Sequence, residues 1–346
     1  MDTNTNITPI KDYSLAQLSE LVKEYGQPVF RAGQIAQWLY QAGVSSFDEM
    51  TNLPKLLRES LAVEHPLYTP SIIDKLISQD GTRKYLLSLH DGCLVETVGI
   101  PSRDERLTVC FSTQVGCAMG CIFCATGQEG FTRNLSVGEI IDQVLIVQND
   151  FGERVTNLVG MGQGEPFLNY DNVVSALEII NSKKGLGIGA RKITLSTCGI
   201  IKGIERFSQV KEQYTLAISL HAARQSVRDL IMPHASSNPL SQLKKALLDY
   251  INKTNRRITL EYTLISGIND SEKDLTALLS FADGLLCHIN LIKLNSVPGS
   301  PFQPSSMNTM EHWKAAAEQQ GIETTIRISK GSDIFGACGQ LKNARM

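Results

Sequence analysis

Residues 106–130, RLTVCFSTQVGCAMGCIFCATGQEG, decide how the rest of the chain is read. The first seven, RLTVCFS, form an apolar and β-branched run of strand length. A loop follows with Cys117, Cys121 and Cys124 in C-x3-C-x2-C spacing, and Cys110 stands seven residues upstream of the first of them. Thiolates suit zinc and iron–sulfur clusters. Structural zinc takes four ligands, often as two C-x2-C pairs. Here three cysteines are grouped, and no histidine lies close to them in sequence. A cubane cluster held by three cysteines leaves one iron open to a small molecule. A zinc site completed by a distant cysteine is the alternative.

Downstream of this stretch, strand-like runs recur with helix-length segments between them. The strands are RLTVCFS, RVTNLVGM, RKITLST, TLAISLH, RITLEYTLI and CHINLIKLN. Helices are expected at SVGEIIDQVLIVQND, DNVVSALEIINS, GIIKGIERF, SVRDLI, PLSQLKKALLDYINK and SEKDLTALLSFA. Six β/α units favour a parallel sheet curved into a partial (β/α)6 barrel over a flat doubly wound sheet. A helix at TMEHWKAAAEQQ and a strand at ETTIRIS follow.

Upstream the texture differs. Residues 1–65 read as helical, with Ser14 a candidate N-cap for SLAQLSELVKEY and two further helices in RAGQIAQWLYQAG and MTNLPKLLRESL. Residues 66–105 read as a β-rich extension, with Asp80-Gly81 a hairpin turn. The expected organisation is thus an N-terminal helical accessory domain (1–65), a β extension (66–105) and a catalytic barrel (106–346). The helices are expected to pack on the barrel.

Composition narrows the class. At 346 residues the chain can bury a large core. A net charge of -2 gives no global nucleic-acid signal, although a local basic surface would be enough for RNA. No apolar run is long enough for a membrane span. The polar start MDTNTNITPIKDYS lacks the apolar stretch of a signal peptide, so a cytoplasmic protein is expected. There, eight cysteines are expected to be reduced, metal-bound or catalytic.

In parallel barrels ligand groups gather where strands end. The second strand ends in MGQGEP, with Gly164 and Glu165; the third ends near Ser196. The fourth ends at Ser219, Leu220 and His221, and the sixth at Asn295. With C-x3-C-x2-C after the first strand, this arrangement resembles the radical S-adenosylmethionine (SAM) enzymes. That resemblance implies a [4Fe-4S] cluster on Cys117, Cys121 and Cys124 whose open iron chelates the amino and carboxylate groups of SAM. Reduction of the sulfonium then yields a 5′-deoxyadenosyl radical.

The likeness extends further. CFSTQVGCAMGCIFCATGQEGFTRNL, GEPFLN, LSTCGI, AISLHA, INLIKLN and DIFGACGQL together resemble the RlmN/Cfr family of radical SAM RNA adenine methyltransferases. FRAGQIAQWLYQAGVSSFDEMTNLPKLLRESL is similar to that family's helical accessory domain. GEP after the second strand and VGC before the cluster resemble the branch that methylates adenine C2. The C8 branch would carry GEA and a cysteine-glycine-cysteine approach. The implied substrates are adenine 2503 of 23S rRNA and adenine 37 of some tRNAs.

By this resemblance one SAM methylates Cys338, and a second SAM in the same turnover supplies the radical that takes hydrogen from the new methyl group. The carbon radical adds to C2, and Cys110 resolves the protein–RNA adduct through a transient disulfide with Cys338. Glu96 matches the family's proton acceptor. Cys93, Cys198 and Cys287 have no implied role and read as small hydrophobes. The likeness also implies one cluster per chain, an electron donor such as flavodoxin or ferredoxin, a monomer and no membrane partner. Arg31, Lys55, Arg58, Arg103, Arg106, Lys183, Lys184, Arg256, Arg257 and Lys330 are the basic candidates for RNA contact. C8 methylation and a non-catalytic, zinc-stabilised RNA-binding protein are the competing readings.

This chain departs from the family pattern at Gln163, Cys198 and MPHASSNPL.

Overall fold

The structure is a computed structural model describing residues 7–297 and 299–343; residues 1–6, 298 and 344–346 of the expected segments lie outside it. Three antiparallel strands come first: β1 (Ser71–Ile77), β2 (Arg83–Ser88) and β3 (Leu94–Pro101). β3 pairs antiparallel with β4 (Leu107–Cys110), which opens the parallel series. From β4 the sheet continues through β7 (Asn157–Gly160), β8 (Ile193–Thr197), β9 (Thr215–Ser219), β10 (Ile258–Leu264), β11 (Cys287–Lys293) and β12 (Thr324–Arg327). The intervening β5 (Gln114–Gly116) and β6 (Phe131–Asn134) form a separate hairpin.

Helices separate the parallel strands. α5 (Val137–Phe151) precedes β7, α6 (Tyr170–Asn181) follows it, and α7 (Ile201–Phe207) follows β8. α8 (Gln225–Ile231) and α9 (Leu240–Thr254) follow β9, α10 (Glu272–Ala282) follows β10, and α11 (Met307–Gln319) follows β11. This is the expected series of six β/α units, with β12 added as a seventh parallel strand. β1 and β12 stand at opposite edges of the ten-stranded sheet and do not pair, so the barrel is open.

Local chemistry explains most element boundaries. Ser14 caps α1 (Leu15–Glu24): its hydroxyl accepts from Gln17 N, and the Gln17 side chain accepts from Ser14 N. Ser136 and Glu139 cap α5 in the same reciprocal way. RAGQIAQWLYQAG does not form one uniform helix. α2 (Phe30–Ala36) widens into a π-helical turn over Gln37–Ala42, which Gly43 ends in a left-handed conformation. The turn buries Leu39 and Tyr40 while Gln41 reaches out to the Lys183 carbonyl. α3 (Lys55–Glu64) starts after Pro54, whose missing N–H costs nothing at a helix start, where that group would have no partner in the helix.

The helical N-terminus shares one core with the barrel. Leu18, Ile35, Leu39 and Leu61 belong to the same buried cluster as Ile140, Val144 and the strand interiors. Polar groups fix the joint. Asp12 accepts from Gly138 N at the start of α5, and buried Lys11 pairs with buried Asp142 at 2.5 Å. Burial raises the Asp142 carboxyl to about 6, opposed by Lys11.

Breaking that pair from one side should be costly, because the other charge stays buried. Asp142→Asn is expected to lose about 3 kcal/mol, since it leaves the Lys11 charge buried without its partner. The double variant Lys11→Met/Asp142→Leu should recover most of that loss in urea unfolding. Additive losses would show that the pair is not coupled.

Candidate active site

The three-cysteine loop is closed by the β5–β6 hairpin. Cys117 N donates to Gly130 O at 2.7 Å. Gly116 makes this approach feasible: its φ is +75°, and a Cβ there would stand 2.0 Å from Gly130 O. α4 (Ala125–Glu129) follows Cys124 directly. Beneath the loop lies a separate apolar cluster that includes Met119, Phe123, Ala222, Ile231 and Met232.

Cys117, Cys121 and Cys124 line one cavity at the ends of the parallel strands. Gly164, Glu165, Ser196, Ser219, His221, Asn295 and Cys338 line the same cavity. Leu220 does not: its side chain is buried, and its main-chain N bonds to Ile218 O and Glu261 O. Among the described residues no three His, Cys, Asp or Glu side chains gather closely enough to share a single ion. Three thiols around one cavity suit a polynuclear cluster, whose cysteine ligands sit on different irons and so stand farther apart than the ligands of one metal. Burial pushes the Cys117 thiol up to about 12 and Cys124 to about 11, so their thiolate forms need a bound cation.

Each strand end contributes a defined group. Gly164 has φ +101°, and a Cβ there would lie 2.6 Å from the Gln114 side chain. That close passage lets Gln114 Oε1 accept from Glu165 N. The Glu165 carboxylate is buried and accepts from Phe167 N and Cys198 N. Burial raises its pKa, opposed by these two N–H donors. Ser196 and Ser219 share a hydrogen bond of 3.0 Å between their hydroxyls. Asn295 donates to Cys338 O, so it holds the C-terminal loop as well as lining the cavity.

His221 sits in a left-handed conformation, φ +53°, with its ring edge-on to Phe123. Its Nδ1 accepts from Thr263 N, which leaves the proton on Nε2. Burial and the nearby Arg228 cation lower its pKa to about 3, so the ring stays neutral. The side chain thus holds a neighbouring strand end and also forms cavity wall.

A second cavity adjoins the first. Cys110, Ile100, Val159, Leu341 and Lys330 line it. Cys338, Met161, Ile292 and Arg327 line both cavities. Both outlying thiols thus face the second space, and Cys338 also faces the metal loop. Burial, followed by the adjacent Cys338, raises the Cys110 thiol to about 12.

Glu96 does not line either cavity. It is fully buried in β3, paired with Lys84 at 2.9 Å, and its Oε2 accepts from Lys342 N. Burial raises its pKa to about 7, with Lys84 opposing.

Several participants escaped the sequence reading. Cys198, read as a small hydrophobe, packs against the apolar cluster and is also part of the cavity wall beside Cys121. Gln163 bonds to Glu96 N and to Asn343, although its position was noted only as a departure. Buried Arg228 donates to Cys198 O at 2.5 Å. Arg327 carried no signal beyond its place in a late strand. Among the basic candidates, Lys330 reaches a cavity. Arg106 and Arg257 are held by Asp104 and Glu323, and Arg31, Arg58 and Arg256 donate to local carbonyls. No helix of the described residues is long and apolar enough to cross a membrane.

Comparisons with known proteins agree with this architecture. The radical SAM superfamily matches residues 111–279, and the ribosomal RNA large subunit methyltransferase N-terminal domain matches residues 8–65. A probable dual-specificity RNA methyltransferase RlmN from Clostridium perfringens is 46% identical over 97% of this chain and 96% of its own. The protein of the same description from Synechococcus elongatus is 44% identical over 99% of this chain and 96% of its own. The crystal structure of a radical SAM methyltransferase from Sphaerobacter thermophilus superposes with a TM-score of 0.93. It is 41% identical over 97% of this chain and all of that one. Full-length identity at this level, together with the matching accessory and barrel segments, places the chain in the RlmN family of radical SAM RNA methyltransferases.

Proposed function

We propose that the chain methylates C2 of adenine 2503 in 23S rRNA and of adenine 37 in tRNAs, with the methyl carbon carried on Cys338. The observation that carries this reading is the position of Cys338. It lies in a wall common to two cavities, one holding the three-cysteine loop and the other Cys110. The relatives' description as dual-specificity RNA methyltransferases supports RNA as the substrate class.

Cys117, Cys121 and Cys124 would hold one [4Fe-4S] cluster, with Gly164, Glu165, Ser196, Ser219, the Leu220 backbone, His221 and Asn295 around SAM. When bound, these groups would supply the methyl carbon, the one-electron chemistry that activates it and the acceptor for the single electron left once the carbon radical has added to C2 and the C2 proton has gone, two SAM being used per turnover. The chain's own thiols complete the reaction. Cys110, as thiolate, bonds to Cys338 Sγ while the bond from that sulfur to the transferred carbon breaks. The bonding pair leaves with the carbon, which takes up a proton to become methyl. Two sulfurs are oxidised to a disulfide and the carbon is reduced by the same two electrons. A thiol reductant then resets the pair.

Glu96 is proposed to receive the proton from C2, after Lys342 N–H withdraws from its carboxylate. With a pKa near 7, the base form is gained as pH rises through neutrality. The rate of the step should therefore climb through about pH 7, and Glu96→Gln should remove that limb. A profile unchanged by Glu96→Gln would end this assignment.

Residues 1–65 are proposed as the RNA-contacting accessory domain, 66–105 as a connecting extension, and 106–346 as the catalytic barrel. A flavodoxin- or ferredoxin-type donor is proposed to reduce the cluster of a cytoplasmic monomer. The test of the whole reading is mass-spectrometric mapping of methyladenine in RNA from a deletion strain. Loss of 2-methyladenine is expected. Loss of 8-methyladenine with 2-methyladenine unchanged would overturn it. Iron analysis of anaerobically purified protein tests the zinc alternative, with about four irons per chain expected.

A further inference from the structure

Arg327 ends β12, where it pairs in register with Ile292 of β11. Its side chain lines both cavities, as does Cys338. The guanidinium has five donors, yet its hydrogen bond within the chain goes to the Met161 thioether at 3.6 Å, a weak acceptor. Among the described residues no carboxylate comes within ion-pair distance of it. A cation placed in the wall between two cavities without a bonded counter-ion has another charge to serve.

The groups facing it come from four elements. Cys110 stands on β4, Glu261 on β10 and Cys338 on the C-terminal loop; Lys330 follows β12, and Lys293 ends β11. Glu261 is buried, bonded by Asn290, and acts on Arg327 from longer range. Cys338 is the strongest influence on Arg327 and raises its pKa; Glu261 and Cys110 add to it. Conversely, Arg327 opposes the burial that makes the Cys110 thiolate unfavourable.

We propose that Arg327 is the cation that stabilises negative charge on the two reacting sulfurs. It serves Cys338 when that sulfur accepts a methyl group and Cys110 when it attacks Cys338. Both events need a thiolate nucleophile in a largely apolar surround, where a fixed positive charge has its greatest effect. Both cavities admit the same guanidinium, so one residue covers both stages. The proposal rests on the roles given to Cys110 and Cys338 above, but it can be tested without RNA or SAM.

The test is alkylation of Cys338 by iodoacetamide in anaerobic, cluster-reconstituted protein. The thiolate displaces iodide, so the rate follows thiolate population. Peptide mass spectrometry reads the site from about pH 6 to 10, with Cys93 as internal reference. Arg327→Met should slow Cys338 about tenfold at neutral pH and move its profile to higher pH, while Cys93 is unaffected. Arg327→Lys keeps the charge and should stay within about threefold of wild type. Two results overturn the proposal: a Met profile superimposing on wild type, or a Lys variant as slow as Met. Nucleoside mapping tests the methylation reading separately. A shifted alkylation profile without 2-methyladenine loss would sink that reading and leave Arg327 in place.

Discussion

Cys338→Ala is expected to abolish methyl transfer to RNA, by at least about 10⁴-fold, while leaving the fold and the cluster intact. The loop carrying Cys338 is held by contacts that do not use the thiol. Cys338 O accepts from Asn295, Gly339 O accepts from Ala125 N, and the Gln340 side chain bonds Ser296 O and Ala337 N. On the other side Leu341 O accepts from Thr126, and Lys342 N donates to Glu96. The root of the loop is tied to the β1–β2 turn through Asp333 to Ser78 and Gly331 to Asp80. Removing one half-buried sulfur leaves all of these in place. Cys338→Ser should fail equally, since a serine hydroxyl is a poor nucleophile unless a base activates it. The checks are transfer of labelled methyl to RNA, the methyl mass on the intact protein, and iron content. Residual turnover within tenfold of wild type would remove Cys338 from the mechanism.

What could be read in advance follows from the range of each interaction. Strands β7 to β11 announce themselves because each is a short apolar run between helix-length segments. The Ser14 cap is legible because both partners lie within one helical turn. The short β5–β6 hairpin was hidden: its strands of three and four residues flank the cysteine loop, and the pairing joins residues across that loop. Glu96 read as a strand residue with a role borrowed from resemblance. Its actual partners, Lys84 and Lys342, include one 246 residues away. Such a contact has no local pattern to betray it. The same holds for Arg228, whose charge ends on the Cys198 carbonyl. The Cys110–Cys338 association was legible only through resemblance. Spacing alone would have grouped Cys110 with the metal loop, whereas the sheet places it in the second cavity.

That placement makes the second large effect specific. Cys110→Ala is expected to stop turnover at a covalent RNA adduct rather than before it. Cys110 closes β4, where its carbonyl accepts from Thr97 and its side chain packs with Val98 and Leu341. Alanine keeps the backbone bond and removes one sulfur from a buried site, a loss of about 1 kcal/mol that a chain of this size tolerates. Nothing in the change touches the metal loop or the contacts that hold Cys338. Cys338 should therefore still gain a methyl group and still become bonded to the base. Without Cys110 the second cavity offers, among the described residues, no other thiol to take the Cys338 end as the carbon–sulfur bond breaks. The chain and its RNA should accumulate as a one-to-one complex that survives denaturing electrophoresis and disappears on nuclease digestion. Adding Cys338→Ala should erase the adduct, since the second change removes the bond that the first cannot break. The opposite result, normal turnover by Cys110→Ala, would mean that release needs no disulfide. In that case the shared wall between the two cavities would have to act through Cys338 alone.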